Sequence, residues 1–229
     1  MAAVLAGSLA GCSGLQVLNA LTPDQGSDRI DGIPYGEHPR QRLDIYLTRT
    51  RPAKGTLVFF YGGGWEDGSR GDYRFVANAF VRDGYDVVIP DYRIYPEVRF
   101  PVFVEDAAKA LGWIHREGAD AGLQDGPIWL AGHSAGAHIA AMLHFDERYL
   151  RRENFPASRL VGFMGLSGAY DFLPLSSERL KAIFSPPEVR PASQPVNFVD
   201  GSEPPTLLIH GTDDDVAWPR NTRRLAARI

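Results

Sequence analysis

The sequence predicts an α/β fold, a mostly parallel sheet with helices on both faces, and three observations predict it. Strand-like apolar runs alternate with amphipathic helix-like runs along the chain, with no internal repeat. Two of the runs, Thr56–Phe60 and Asp86–Pro90, are almost continuously apolar, as strands covered on both faces must be. A third, from Ile128 to Ala131, passes straight into Gly132-His133-Ser134-Ala135-Gly136 and then into the helical Ala137, Ile139, Ala140 and Met142.

Bulk properties narrow the classes. The 229 residues suffice for one well-buried domain, and 44% hydrophobic with 23% charged residues suits a globular chain. A formal net charge of −4 and the lack of a basic run with interleaved aromatics argue against a nucleic-acid partner. No apolar run is long enough to span a membrane. With one cysteine there is no internal disulfide and no cysteine-based metal cluster.

Taken in order, the chain opens with a small, apolar stretch, Met1 to Gly11. Leu9-Ala10-Gly11-Cys12 resembles a bacterial lipoprotein signal, in which cleavage leaves a lipid-modified cysteine at the new N-terminus. No Lys or Arg precedes it and the stretch is short, as a missed upstream start would explain. Residues 1–31 therefore read as a leader and tether, and 32–229 as the globular domain. The matching location is periplasmic or membrane-anchored through Cys12, the alternative being cytoplasmic.

Leu43, Ile45 and Leu47 alternate with Asp44, Tyr46 and Thr48, a half-buried strand near a sheet edge. After the strand Thr56–Phe60, residues 72–83 carry Phe75, Val76, Ala79 and Phe80 at helical spacing, stopped at Gly84. The strand Asp86–Pro90 and a helix over 103–118 follow. Beyond the Ser134 helix come a strand over 160–166, a proline-rich stretch over 172–205 with a short helix near 177–183, a strand over 205–210 and a helix from Arg220.

The chemistry centres on Ser134. A strand that turns sharply into a helix needs glycine on both sides of the turning residue, because a side chain there collides with neighbouring backbone. That elbow exposes the serine Oγ at a helix N-terminus for attack. The alternative is an ordinary glycine-rich turn. Three glycines after the strand Thr56–Phe60, in Tyr61-Gly-Gly-Gly-Trp65, let backbone N–H groups turn to one point. Gly63 and Gly64, with the N–H of Ala135, then suit a developing oxyanion, each well-aimed donor being worth about 3 kcal/mol of barrier. The rival readings are a flexible loop and a phosphate cradle. The Gly-Lys-Ser/Thr ending of a phosphate-binding loop is absent.

These landmarks, with Asp91-Tyr92-Arg93, Tyr95-Pro96, Leu166-Ser-Gly168 and His210-Gly-Thr-Asp-Asp214, make the chain resemble the α/β-hydrolase fold over about residues 35 to 229. It is most similar to hormone-sensitive-lipase-like, feruloyl-esterase-like and prenylcysteine-methylesterase-like members, with kynurenine formamidases nearby. The resemblance implies hydrolysis of small-molecule carboxylic esters, or of amides in a few members, with no metal or organic cofactor. It also implies that Asp214 is the acid, a buried carboxylate that holds the catalytic imidazole in the right tautomer. A solvated turn of Asp213, Asp214 and Asp215 is the alternative.

The family places the catalytic histidine beyond one further helix and strand, and none of the six histidines fills that place. The expectation is therefore a fold lacking its last strand and helix, in an inactive, C-terminally cut esterase. A non-catalytic hydrolase-fold binding protein is the alternative. Trp65, Tyr92 and Tyr95 are expected at the mouth of the site, with no arginine fixed by motif, which favours small neutral esters.

Overall fold

The computed structural model of the protein describes residues 18–19, 22 and 27–229. Cys12 and the greater part of the predicted leader and tether lie outside the described residues. Seven strands form one sheet in the order β1-β2-β4-β3-β5-β6-β7. They are β1 (Ser27–Pro34), β2 (Arg42–Thr48), β3 (Thr56–Phe60), β4 (Asp86–Pro90), β5 (Ile128–His133), β6 (Leu160–Leu166) and β7 (Thr206–Ile209). β3 to β7 pair in parallel, while β2 runs antiparallel to both β4 and β1. The mostly parallel sheet is as predicted.

Every residue of β3 and β4 is buried, in keeping with their continuous apolar runs. The helices are α1 (Arg74–Arg82), α2 (Val102–Glu117), α3 (Ala135–Phe145), α4 (Arg148–Arg152), α5 (Glu178–Ile183) and α6 (Arg220–Arg228). α1 lies against β2 and β4, and α3 against β3, β5 and β6. All eleven residues of α3 are buried. Its small side chains allow that depth, since a helix rich in Gly and Ala approaches a sheet closely.

Three local differences from the sequence reading have physical causes. Residues 27–31, assigned by composition to the tether, belong to β1 and pair with β2. β2 is consequently no half-exposed edge: Asp44, Tyr46 and Thr48 are all buried. Asp44 is accommodated there because Gly32 N–H donates to its Oδ1 at 2.8 Å and Arg70 Nε at 2.7 Å, so the buried charge is paired and hydrogen-bonded. The helix expected over 72–83 starts at Arg74, after a tighter turn of 3₁₀ type over Arg70–Tyr73 closed by the reciprocal Ser69–Asp72 capping box. It ends where predicted, with Gly84 at φ +90°.

Cover thins toward β7. On the α1 side of the sheet, Ala131, Met164 and Leu207 stand in one cross-strand row and His133, Leu166 and Ile209 in the next. Leu207 is 51% and Ile209 49% exposed. Two adjoining cavities of about 310 and 330 Å³ run along this face.

Candidate active site

Ser134 follows β5 directly and takes φ 53° and ψ −118°, a backbone region that costs about 1–3 kcal/mol and persists only where the surroundings impose it. The surroundings here are steric. A Cβ on Gly132 would sit 2.4 Å from the carbonyl oxygen of Gly136, and one on Gly136 only 2.1 Å from that of Phe60. Both flanking glycines are thus required by close backbone approach, as the motif reading anticipates. Ser134 N–H donates to Leu166 O at 2.9 Å, which ties the turn to β6. The serine occupies the N-cap position of α3, yet its side chain makes no capping bond, so its hydroxyl is not spent on the helix.

The glycine loop leaves β3 beside the elbow. A Cβ on Gly62 would meet Ser134 Cβ at 3.2 Å and His133 Nδ1 at 2.8 Å. Gly63 at φ +138° and Gly64 at φ +61° then turn the chain, and the Gly63 carbonyl accepts from Glu66 and Asp67 N–H at 3.1 and 2.9 Å. Among the described residues, the N–H groups of Gly63, Gly64 and Ala135 meet no acceptor. Three backbone donors therefore stand unengaged on the two segments that flank Ser134.

Buried aromatic rings fix this loop. Tyr61 stacks on Tyr92 at 4.7 Å, and the Tyr92 hydroxyl donates to Tyr61 O at 2.7 Å. Arg40 donates to the Tyr61 hydroxyl and to Gly68 O at 3.0 and 2.9 Å. Trp65 Nε1 donates at 3.2 Å to Nδ1 of His138, whose Nε2 lies 2.8 Å from Ser193 O. Burial pushes His138 down to about 4, so the ring is neutral at pH 7 and able to serve both bonds. Trp65 and Tyr92 are buried, and so belong to the scaffold of the loop rather than to the mouth where sequence put them.

Asp214 comes from the turn after β7, which brings it to the carboxyl ends of the parallel strands with Ser134. It is partly exposed, not the buried carboxylate expected. Burial pushes its pKa up. Bonds from the Ala217 and Val216 N–H groups and the Ser167 hydroxyl, with the field of His210, outweigh this and hold it below the ordinary carboxylate value. The neighbouring Asp213 and Asp215 are exposed. Asp214 also acts on His133, whose pKa burial lowers and the Asp214 charge raises, with burial prevailing.

All six histidines are described, and each engages something other than the Ser134 hydroxyl. His38 meets Glu97, His115 meets Arg159, and His133 lies 3.0 Å from the Tyr73 hydroxyl. His138 is bound as above, His144 faces Pro204 O at 3.2 Å, and His210 Nδ1 faces Thr222 Oγ1 at 2.6 Å. Two residues near the site carried no sequence signal. Arg179, on α5, is ion-paired with Glu66, and its Nη1 is 3.0 Å from where a Gly64 Cβ would be. The other is Tyr73, held against both the elbow and the glycine loop.

The profile of one protein family, BD-FAE, matches residues 43–229. A probable isoprenylcysteine alpha-carbonyl methylesterase of Arabidopsis thaliana is 29% identical over 206 residues, covering 80% of this chain and 43% of that protein. Esterase LipC of Mycobacterium tuberculosis is 29% identical over 217 residues, 86% of this chain and 54% of its own length. The chain thus spans about half the length of these curated relatives. Esterase B of Lactobacillus rhamnosis, solved with a tributyrin phosphonate inhibitor, superposes with a TM-score of 0.79 at 20% identity over 93% of this chain and 75% of that one. At that identity the likeness is one of fold, and the fold is that of α/β-hydrolase esterases.

Proposed function

The chain belongs to the BD-FAE family, and from that premise we propose that it is a carboxylic ester hydrolase in which Ser134 is the nucleophile. Ser134 Oγ attacks the carbonyl carbon, its proton passes to a base, and the carbonyl oxygen takes up negative charge. The Gly63, Gly64 and Ala135 amides receive that charge. The alcohol leaves with a proton, and water hydrolyses the acyl-enzyme. Asp214 orients the base and stabilises it when charged. Small neutral esters suit a site whose surroundings are mainly aromatic and aliphatic, with Arg179 already neutralised by Glu66.

One observation carries the reading: a serine forced to φ 53° between two obligatory glycines, hydroxyl uncommitted, beside unengaged backbone donors. An ordinary βα turn has no need of that strain.

Within these 229 residues each histidine engages another partner, which supports the reading that no imidazole here is poised to take the Ser134 proton. The chain's turnover of p-nitrophenyl acetate and butyrate should therefore be slow, about a thousandfold above water, from the oxyanion donors and binding alone. That residual rate should persist in Ser134→Ala, whereas slow labelling by a fluorophosphonate should be lost in it. Turnover in the ordinary enzyme range would contradict the missing base, and labelling indifferent to Ser134→Ala would contradict the nucleophile. For location, the sequence around Cys12 supports a lipid-anchored protein outside the cytoplasm. Cys12→Ala should abolish globomycin-sensitive processing and membrane fractionation; if it changes neither, the cytoplasmic location takes its place.

A further inference from the structure

Tyr73 closes the 3₁₀ turn before α1, and its ring is buried against Phe59, Tyr61 and Phe75 at centroid distances of 5.3, 6.1 and 5.7 Å. Those contacts hold the ring without help from its hydroxyl. The hydroxyl bridges two segments instead. It accepts the Gly62 N–H at 3.3 Å and lies 3.0 Å from Nδ1 of His133, the residue immediately before Ser134.

A backbone N–H can only donate, so the Tyr73 oxygen accepts from Gly62 and its own proton is free to go to His133 Nδ1. With His133 neutral and its proton on Nε2, Nδ1 accepts that proton. Burial lowers the pKa of His133 in the same sense. The Gly62 amide is thereby engaged by Tyr73, while the next two amides, of Gly63 and Gly64, stay without an acceptor. The elbow and the glycine loop already touch, since Gly62 has no room for a Cβ beside His133.

We propose that Tyr73 is a positioning residue: through His133 it locks the glycine loop to the elbow, so that the Gly63 and Gly64 amides are held at a fixed height above Ser134. This rests on the reading of Ser134 as nucleophile. Tyr73 touches no substrate; it sets where the charge-receiving donors stand before the reaction begins, and preorganisation of that kind is spent in the transition state rather than in substrate binding.

The test is inactivation of the full 229-residue chain by a p-nitrophenyl alkylphosphonate, whose attack by serine also builds charge on an oxygen, resolved into a maximal rate and a half-saturating concentration. In Tyr73→Phe, which keeps the ring packing, the maximal rate should fall about tenfold, less than for outright loss of an oxyanion donor. The half-saturating concentration should be unchanged. His133→Leu should give a like fall, and the double variant no further loss, because both act through one bond chain. Equal maximal rates in Tyr73→Phe and wild type, with Ser134 labelled in both, would overturn the inference and leave the nucleophile standing. So would additive losses in the double variant. Wild type left unlabelled at Ser134 overturns the nucleophile reading and this inference with it.

Discussion

The segments that carry Ser134 are held by buried backbone and aromatic rings, whereas Asp214 is held mainly by the atoms of its own exposed turn. The first region is held by contacts far apart in sequence: Gly136 against Phe60, Ser134 against Leu166, Trp65 against His138. The second is held mainly by residues 210–217, with Ser167 the one distant donor to Asp214. A geometry fixed by close-packed backbone survives by itself, because moving any part collides with another. A carboxylate fixed by turn bonds is placed less firmly, and β7 beneath it is an edge with exposed Leu207 and Ile209.

Matched glycines offer the sharpest way to break that comparison. Gly136→Ala puts a Cβ against Phe60 O and should cost about 3 kcal/mol or more, seen as a large fall in the urea midpoint or as insoluble protein. Gly211→Ala, whose Cβ would meet nothing nearer than Asp214 Cβ at 4.0 Å, should stay within about 0.5 kcal/mol of wild type. Equal effects would erase the distinction between the two regions.

Acid comes next in size. His138 has its pKa lowered by burial from 6.5 to about 4. Its unfolded form therefore binds the proton first, and stability present above pH 6.5 is lost as pH falls toward about 4. The full loss is about 3 kcal/mol. Urea unfolding at pH 7, 5.5 and 4.5 should show that fall together with a like one from His144, which burial also lowers to about 4, and His138→Leu should remove about half of the whole. A profile unchanged by His138→Leu would show that the ring is not the buried strut described.

The smallest effect is on the exposed side. Leu207→Lys and Ile209→Lys should change stability by no more than about 0.5 kcal/mol while raising solubility and reducing light scattering at high concentration. A marked loss of stability in both would mean that this part of the sheet is packed more tightly than its exposure indicates.

Sequence and structure diverge along the same line. The elbow, the glycine loop and the strands β3 to β7 were legible because each is written in adjacent residues: an apolar run, then the glycines its turn needs. The burial of Asp44 was not, since it depends on Arg70 and on a strand, Ser27–Pro34, whose residues 27–31 read as tether. Trp65 and Tyr92 look like mouth residues until Phe184, His138 and Tyr61 close over them from distant parts of the chain. The Tyr73 bridge has no local signature at all, because its partners lie 11 and 60 residues away. Partners of that separation are set by topology, which periodicity and turn residues do not encode.

The measurement that bears most directly on Ser134 as nucleophile is mass spectrometry of the protein after long exposure to a fluorophosphonate. One adduct is expected, mapped to the peptide containing Ser134, and none in Ser134→Ala. An adduct on another residue, or equal labelling of Ser134→Ala, would contradict Ser134 as the nucleophile.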